Sequence, residues 1–246
     1  MPHRKRLDDL LLLAFSLGAL AGCAPTAMGP MVMRLGPGAP DQRMLQGGIR
    51  TGPRLSAPIA GARRSGTDDD RFRGDEASFS TQQWGMAFDL AMTWPVTERL
   101  HLHTGAQGEV FLPLPLPGYG LYAGASYYLG SERLGLAPAL AVRGASDFGM
   151  NSSKGGPGSM AGAEATCALT FQPEPHVSVG VVPFFAVHTL SSNGTSQGST
   201  YYGGVVAARL EWGFFKTFEI SGGFGRAKVG SSTSWNVPIM GVRGGR

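Results

Sequence analysis

Two histidines one residue apart could act together as metal ligands. His101 and His103 stand in the stretch LHLHTG, and residues two apart on an extended strand point to the same side. Imidazole is a common zinc ligand, but a zinc site takes at least three protein ligands. Glu109, the next candidate, lies too far along the strand to complete a set. We therefore expect structural histidines, no bound metal and no cofactor.

A second segment has residues used in acyl hydrolysis. Residues 188–194 read HTLSSNG, which is similar to the histidine-serine-asparagine segments of outer-membrane phospholipases and lipid A deacylases. In those families one residue separates the histidine from the serine. Here Ser191 and Ser192 follow His188 at larger spacings. The resemblance implies lipid hydrolysis, but the spacing departs from it. We expect that the chain has no catalytic residue and is not an enzyme, and a lipid hydrolase stays as a third reading.

The N-terminus has the pattern of an export signal. A basic stretch, HRKR, precedes an apolar run over Leu10–Ala21 that is too short to span a membrane. The run ends in LAGC, which resembles a bacterial lipoprotein signal. That resemblance implies that Cys23 is lipidated and is the first mature residue. It predicts a signal peptide over 1–22, a flexible tether over 23–42 and a folded domain over 43–246.

The composition narrows the class of protein. Glycine accounts for 38 of 246 residues, and charged residues make up 15% of the chain, against roughly 25% in typical soluble domains. A net charge of +4 without a basic cluster argues against nucleic-acid binding. If Cys23 carries lipid, Cys167 has no disulfide partner. We expect membrane lipid as a partner and a monomeric chain, and the sequence names no protein partner.

Strict alternation of apolar and small or polar residues runs through most of the chain. The stretch WGMAFDLAMTW, residues 84–94, is the clearest case, and this period of two is typical of β-strands. The same pattern predicts ten strands, the first being the weakest. They span 43–54, 82–94, 100–112, 119–129, 134–148, 160–171, 177–190, 201–212, 217–228 and 234–243.

The connections between these segments alternate in length. Short turns follow the even-numbered strands, and longer loops, including 55–81, 149–159 and 191–200, follow most of the odd-numbered ones. This arrangement resembles a bacterial outer-membrane β-barrel. The resemblance implies an all-β, antiparallel, up-and-down transmembrane barrel of about ten strands, with eight possible. Both termini then lie on the periplasmic side, where the lipid anchor is also expected.

Aromatic residues repeat at a spacing that suits a membrane. Trp84 and Trp94 stand ten residues apart on one strand face, as do Tyr202 and Trp212. Ten strand residues rise roughly 33 Å, and a tilt of about 40° projects this to about 25 Å, the height of the apolar band in such barrels. We expect these four residues at the two membrane interfaces.

The opposite strand faces would line the lumen. A narrow barrel is filled by its own side chains, and buried charges there need partners. We therefore expect a filled lumen without large stable conductance, and we expect Asp89 to pair with Arg143 or Arg209. The predicted polar network consists of Asp89, His101, His103, Glu109, Arg143, Asp147, Glu164, Arg209 and Glu211.

The favoured function is a small outer-membrane lipoprotein barrel with a structural or surface-recognition role through its longer loops. The alternative is a lipid-anchored periplasmic β-barrel or sandwich that binds a small apolar ligand. In the alternative the large apolar side chains would point inward, and the outward faces would carry charge.

Overall fold

The computed structural model describes most of the chain after the N-terminal segment. The described residues are 29–36, 43–53, 84–110, 118–131, 133–147, 159–192, 195–212, 215–229 and 235–245. The predicted signal peptide and Cys23 lie outside them, as do most of loops 55–81 and 149–159.

The described chain folds into eleven β-strands, each antiparallel to its neighbours. Consecutive strands pair in chain order, which is the up-and-down topology. The strands are β1 Met44–Pro53, β2 Trp84–Pro95, β3 Leu100–Val110, β4 Gly118–Tyr127, β5 Leu129–Gly130, β6 Leu134–Asp147, β7 Ser159–Glu174, β8 Val177–Ser192, β9 Thr195–Trp212, β10 Phe215–Val229 and β11 Trp235–Gly245.

The sheet closes on itself through its first and last strands. β1 pairs with β11, with Gly48 opposite Arg243, and β1 also pairs with β2, with Gly48 opposite Asp89. β4 and β5 pair with the same strand, β6, in one register, so they occupy a single position interrupted at Tyr128. The prediction of an all-β barrel with ten strand positions is confirmed, and the eight-strand version is excluded because the described strands close the ring.

The two faces of the sheet differ as the alternation predicts. Large apolar side chains point outward and are exposed on every strand position, from Ile49 on β1 to Val242 on β11. Inward positions hold alanine, buried polar groups and a core cluster that includes Phe184, Leu190 and Tyr201. This distribution is the reverse of the one that a ligand-binding periplasmic barrel requires.

The connections define two ends of the barrel. The end with the short β2–β3 and β7–β8 turns is called the turn end, and β1 begins there. The opposite end, where 54–83 and 148–158 connect strands, is called the loop end. The loop predicted over 191–200 is wrong in large part, because β8 extends to Ser192 and β9 begins at Thr195. Cross-strand pairing continues there as far as Ser192 and Thr195.

No α-helix in the described ranges is long and apolar enough to cross a membrane.

Candidate functional site

The lumen contains a charged cluster at the seam where the barrel closes. The Asp89 carboxylate on β2 is buried and accepts a hydrogen bond from Arg243 Nε at 2.7 Å. Arg50 Nε on β1 lies 3.2 Å from Asp89 Oδ2, and the Tyr122 hydroxyl donates to Oδ1 at 3.4 Å. We call Arg50, Asp89 and Arg243 the seam cluster. It joins the first, second and last strands through one carboxylate.

The partners of Asp89 differ from the predicted ones. Arg143 and Arg209 were the expected candidates, whereas the structure pairs Asp89 with Arg50 and Arg243. The reason is the closure of the sheet. Strand β1 lies between β2 and β11, which brings the end of the chain next to Asp89. The alternation itself indicated that Arg50 and Arg243 face the lumen, since each follows an outward-facing aliphatic residue.

A glycine makes the seam cluster possible. Gly48 occupies the β1 position between Arg243 and Asp89. A Cβ atom at Gly48 would lie 2.7 Å from Cγ of Arg243 and would also collide with the Val242 carbonyl oxygen. Because no side chain stands there, the Arg243 side chain crosses β1 and reaches Asp89.

The lumen also holds a segment that the sequence assigned to the tether. Residues 29–36, called the plug segment, lie inside the barrel and are buried except for the partly buried Met33, with Met31 and Leu35 among the most buried side chains. The prediction of a flexible tether is therefore wrong for these eight residues. Residues 23–28 and 37–42 lie outside the described ranges. Composition alone could not reveal the burial, because it depends on a cavity formed by other strands.

The seam cluster contacts the plug segment directly. Arg50 Nη1 donates to the carbonyl oxygen of Pro30, and Arg243 Nη2 donates to that of Met31 at 3.4 Å. The same two guanidinium groups thus neutralise Asp89 and satisfy plug carbonyls. Buried backbone carbonyls need such partners, so the cluster stabilises both the seam and the plug segment.

Two residues of β7 bind the other side of the plug segment. The Met31 backbone amide donates to Glu164 Oε1 at 2.5 Å, and Thr166 Oγ1 donates to the Val32 carbonyl at 3.0 Å. Glu164, a predicted member of the polar network, is buried. Its carboxylate therefore accepts a hydrogen bond from a backbone amide of the plug segment.

Arg34 ties the plug segment to the turn end. Its guanidinium donates to the carbonyl oxygens of Glu98 at 2.9 Å and Arg99 at 2.5 Å and lies 5.4 Å from the centre of the Tyr128 ring. The sequence interpretation missed Arg34 because the residue stands in a Gly/Pro/Met-rich stretch without a period.

The histidine pair faces the lumen next to the plug segment. His103 lies 3.1 Å from Thr93 Oγ1 and 2.7 Å from Ser126 Oγ, and His101 Nε2 lies 3.3 Å from Arg34 Nη2. A cation beside His101 opposes metal binding. Among the described residues, no group of three potential metal-ligating side chains occurs.

The remaining predicted network residues differ in their surroundings. Arg143 is buried, and Arg209 is partly buried and lies 3.9 Å from Glu211. Glu211 lies near the turn end with its side chain 49% exposed, so it does not contribute to a buried network. The side chains of Glu109 and Asp147 lie outside the described ones.

The predicted interface aromatics are described in part. Tyr202 points outward and is exposed, and Trp94 is half-buried near the turn end of β2. The side chains of Trp84 and Trp212 lie outside the described ones. Their placement at membrane interfaces stays a prediction.

Within the described part of the chain, a group of polar side chains nearer the loop end lacks hydrogen-bond partners. His188 on β8 is the cross-strand partner of Ser199 on β9, and both are buried. Among the described residues, neither ring nitrogen of His188, nor Ser199 Oγ, nor the Tyr201 hydroxyl has a partner. The structure thus brings Ser199 opposite His188, whereas the sequence interpretation considered Ser191 and Ser192.

Comparison with known proteins adds little to this description. No protein-family model matches the chain, and no curated protein matches it. Among solved structures, LpxR from Salmonella typhimurium matches over 82% of this chain and 99% of its own, with 11% identity and a TM-score of 0.36. A likeness of that degree carries no argument about activity.

One sequence-based prediction is withdrawn. The sequence interpretation held that the chain is not an enzyme, and that expectation does not stand. The strands and closure define this chain as a closed antiparallel β-barrel protein.

Proposed function

We propose that the chain is an integral β-barrel protein of the bacterial outer membrane, with a lumen closed by its own plug segment. The observation that carries this proposal is the outward belt of large apolar side chains around the whole closed ring. Exposed apolar patches of that extent are rare on soluble proteins. In hydrocarbon they cost nothing, and a closed barrel leaves no strand edge unpaired.

The plug segment in the lumen supports a structural or surface-recognition role over transport. The plug segment and the inward side chains occupy the lumen from the turn end to the level of Tyr201. The longer connections 54–83 and 148–158 join strands at one end, where they are available to an external partner. On the N-terminal sequence alone, we also propose a lipid on Cys23.

Membrane integration is tested by removing the proposed lipid. A Cys23→Ser variant should remain in the membrane pellet after carbonate extraction, should migrate faster on gels when unheated, and should lose metabolic labelling by an alkyne fatty acid that the wild type shows. Full release of this variant into the carbonate supernatant would contradict the proposed membrane barrel.

Closure of the lumen is tested separately. Wild-type protein in planar bilayers should give no stable single-channel openings. Stable large openings would show that the lumen conducts ions and would refute the proposal that the plug segment closes the lumen.

A second candidate function rests on His188 and Ser199. A buried serine and histidine on adjacent strands, both with unsatisfied polar atoms, could act on an acyl ester of a membrane lipid. Ser199 Oγ would attack the ester carbonyl while His188 accepts the hydroxyl proton. The ester C–O bond would then break, the lipid alcohol would leave with that proton, and water would hydrolyse the acyl-serine to release the fatty acid. No hydrogen bond joins the two side chains in the structure, so a rearrangement would have to precede the reaction.

The hydrolase candidate is tested by product analysis. Purified protein would be incubated with phospholipid and with lipid A in detergent micelles, and released fatty acid would be measured. Release that Ser199→Ala and His188→Ala each abolish, while Ser196→Ala retains it, would support this candidate. Equal release by all variants, or none by the wild type, would contradict it.

A further inference from the structure

The C-terminal end of the plug segment lies at the turn end of the barrel. Gly36 lies near the turn end, because a Cβ atom there would lie 3.5 Å from Ser178 Oγ and 3.9 Å from Gln172 Oε1. Ser178 is the second residue of β8 and Gln172 is near the end of β7. Arg34 binds the carbonyl groups of the β2–β3 turn. The C-terminal end of the plug segment is therefore fixed at the turn end, where β1 begins.

The N-terminal end of the plug segment lies deeper in the barrel. A Cβ atom at Gly29 would lie 2.8 Å from the Phe184 ring and 3.1 Å from the Tyr201 ring. Tyr201 stands six residues after the loop-end start of β9 at Thr195, and Phe184 stands near the middle of β8. From Gly36 to Gly29 the chain thus rises from the turn end to mid-lumen or beyond.

Within the described part of the chain, the plug segment packs closely in the turn-end half of the lumen. Met31, Val32, Arg34 and Leu35 are all at least nine-tenths buried. A Cβ atom at Gly180 would lie 2.7 Å from Leu35 Cδ2, so the plug segment fits against the wall without a gap there. A barrel of this strand number has an interior that side chains fill.

We propose that the chain threads the barrel, entering at the loop end and leaving at the turn end before β1. This proposal rests on the proposed membrane barrel. The residues before Gly29, Cys23 among them, then emerge at the loop end, on the external side of the membrane. A lipid on Cys23 would lie in the outer leaflet, opposite to the periplasmic anchor that the sequence interpretation expected.

The chain length permits this path. From Tyr201 to Thr195 the strand rises about 20 Å, or about 15 Å along the barrel axis at a tilt of about 40°. The six residue steps from Cys23 to Gly29 span up to about 20 Å when extended. Cys23 can therefore reach the loop-end rim from the position of Gly29.

The first experiment reports the side on which the N-terminus lies. A short epitope tag is inserted between Pro25 and Thr26, and control tags are placed in the 55–81 connection and after Arg246. Antibody binding is measured on intact cells and after permeabilisation of the outer membrane. We expect the Pro25 tag to bind on intact cells as fully as the loop tag, whereas the C-terminal tag binds only after permeabilisation. Binding of the Pro25 tag only after permeabilisation would overturn the proposal.

The second experiment tests whether the plug segment occupies the lumen in cells. Leu35→Cys and Gly180→Cys are combined in a Cys167→Ser background and exposed to a short cross-linker with two thiol-reactive maleimide groups, with each single variant as control. We expect an intramolecular cross-link in the double variant alone. Its absence from a barrel that still shows heat-modifiable migration would overturn threading while leaving the proposed function intact. If the wild-type protein shows no heat-modifiable migration, both the threading proposal and the proposed membrane barrel are refuted.

Discussion

The seam cluster yields a quantitative prediction about stability. Asp89→Asn removes the carboxylate that lies within salt-bridge distance of both Arg50 and Arg243 and is nearly isosteric. Two buried guanidinium groups then lose their shared counter-ion. Breaking a buried ion pair on one side typically costs 3–5 kcal/mol, so we expect a loss of about 4 kcal/mol in the free energy of unfolding. This is a large share of the 5–15 kcal/mol typical of folded proteins.

The assay is reversible urea unfolding of the barrel in lipid vesicles, followed by tryptophan fluorescence and by heat-modifiable migration. Glu211→Gln is the matched control, because it also neutralises a carboxylate beside an arginine but at an exposed site. We expect this control to change stability by at most about 1 kcal/mol. High salt should weaken the Arg209–Glu211 contact and leave the seam cluster nearly unaffected.

A double-mutant cycle separates pairing from packing. Arg243→Met should cost less in the Asp89→Asn background than in the wild type, with a coupling energy of about 0.5–3 kcal/mol. An Asp89→Asn variant within about 1 kcal/mol of the wild type, or a coupling energy of zero, would refute the inference that Asp89 holds the seam together.

Three further predictions concern the seam glycine, the outward belt and the plug segment. Gly48→Leu should prevent Arg243 from crossing β1 and should destabilise the barrel about as much as Asp89→Asn. Gly47→Leu, at a site where a Cβ atom would approach no atom closer than 3.9 Å, should destabilise it far less in the same urea assay. Val206 is 62% exposed in mid-strand, and Val206→Arg should lower the free energy of unfolding in vesicles by about 2–4 kcal/mol. Val96 is 55% exposed in the β2–β3 turn, and Val96→Arg should change that free energy by at most about 0.5 kcal/mol. Equal effects of the two variants would contradict a membrane-embedded apolar belt. Replacing residues 29–36 with a Gly/Ser sequence of the same length should produce single-channel openings in planar bilayers, and a variant as silent as the wild type would show that the plug segment does not close the lumen.

The strands were predictable because their signal is local. A side-chain period of two needs only neighbouring residues, and it predicted all ten strand positions within a few residues at most ends. The largest error, the loop over 191–200, came from its polar composition. Polar and small residues such as Ser196 and Gly198 still form a ladder where β8 and β9 extend together.

The members of the candidate site were less predictable than the strands. The alternation placed Asp89, His101 and Glu164 on inward faces, where the structure finds them buried. Their partners required knowledge of which strands adjoin across the seam. Arg243 stands at the far end of the chain from Asp89, and only closure of the ring brings the two together.

The sequence by itself determined the alternation, the strand count and the sense in which the faces point, because these follow from backbone geometry and residue polarity. The tertiary structure alone decided which charges pair and where the plug segment lies. Arg34 and Met31 lie in a stretch with no local pattern, and their burial exists only because ten strand positions enclose a lumen of matching width. A contact between parts of the chain so far apart leaves no trace in the local sequence of either one.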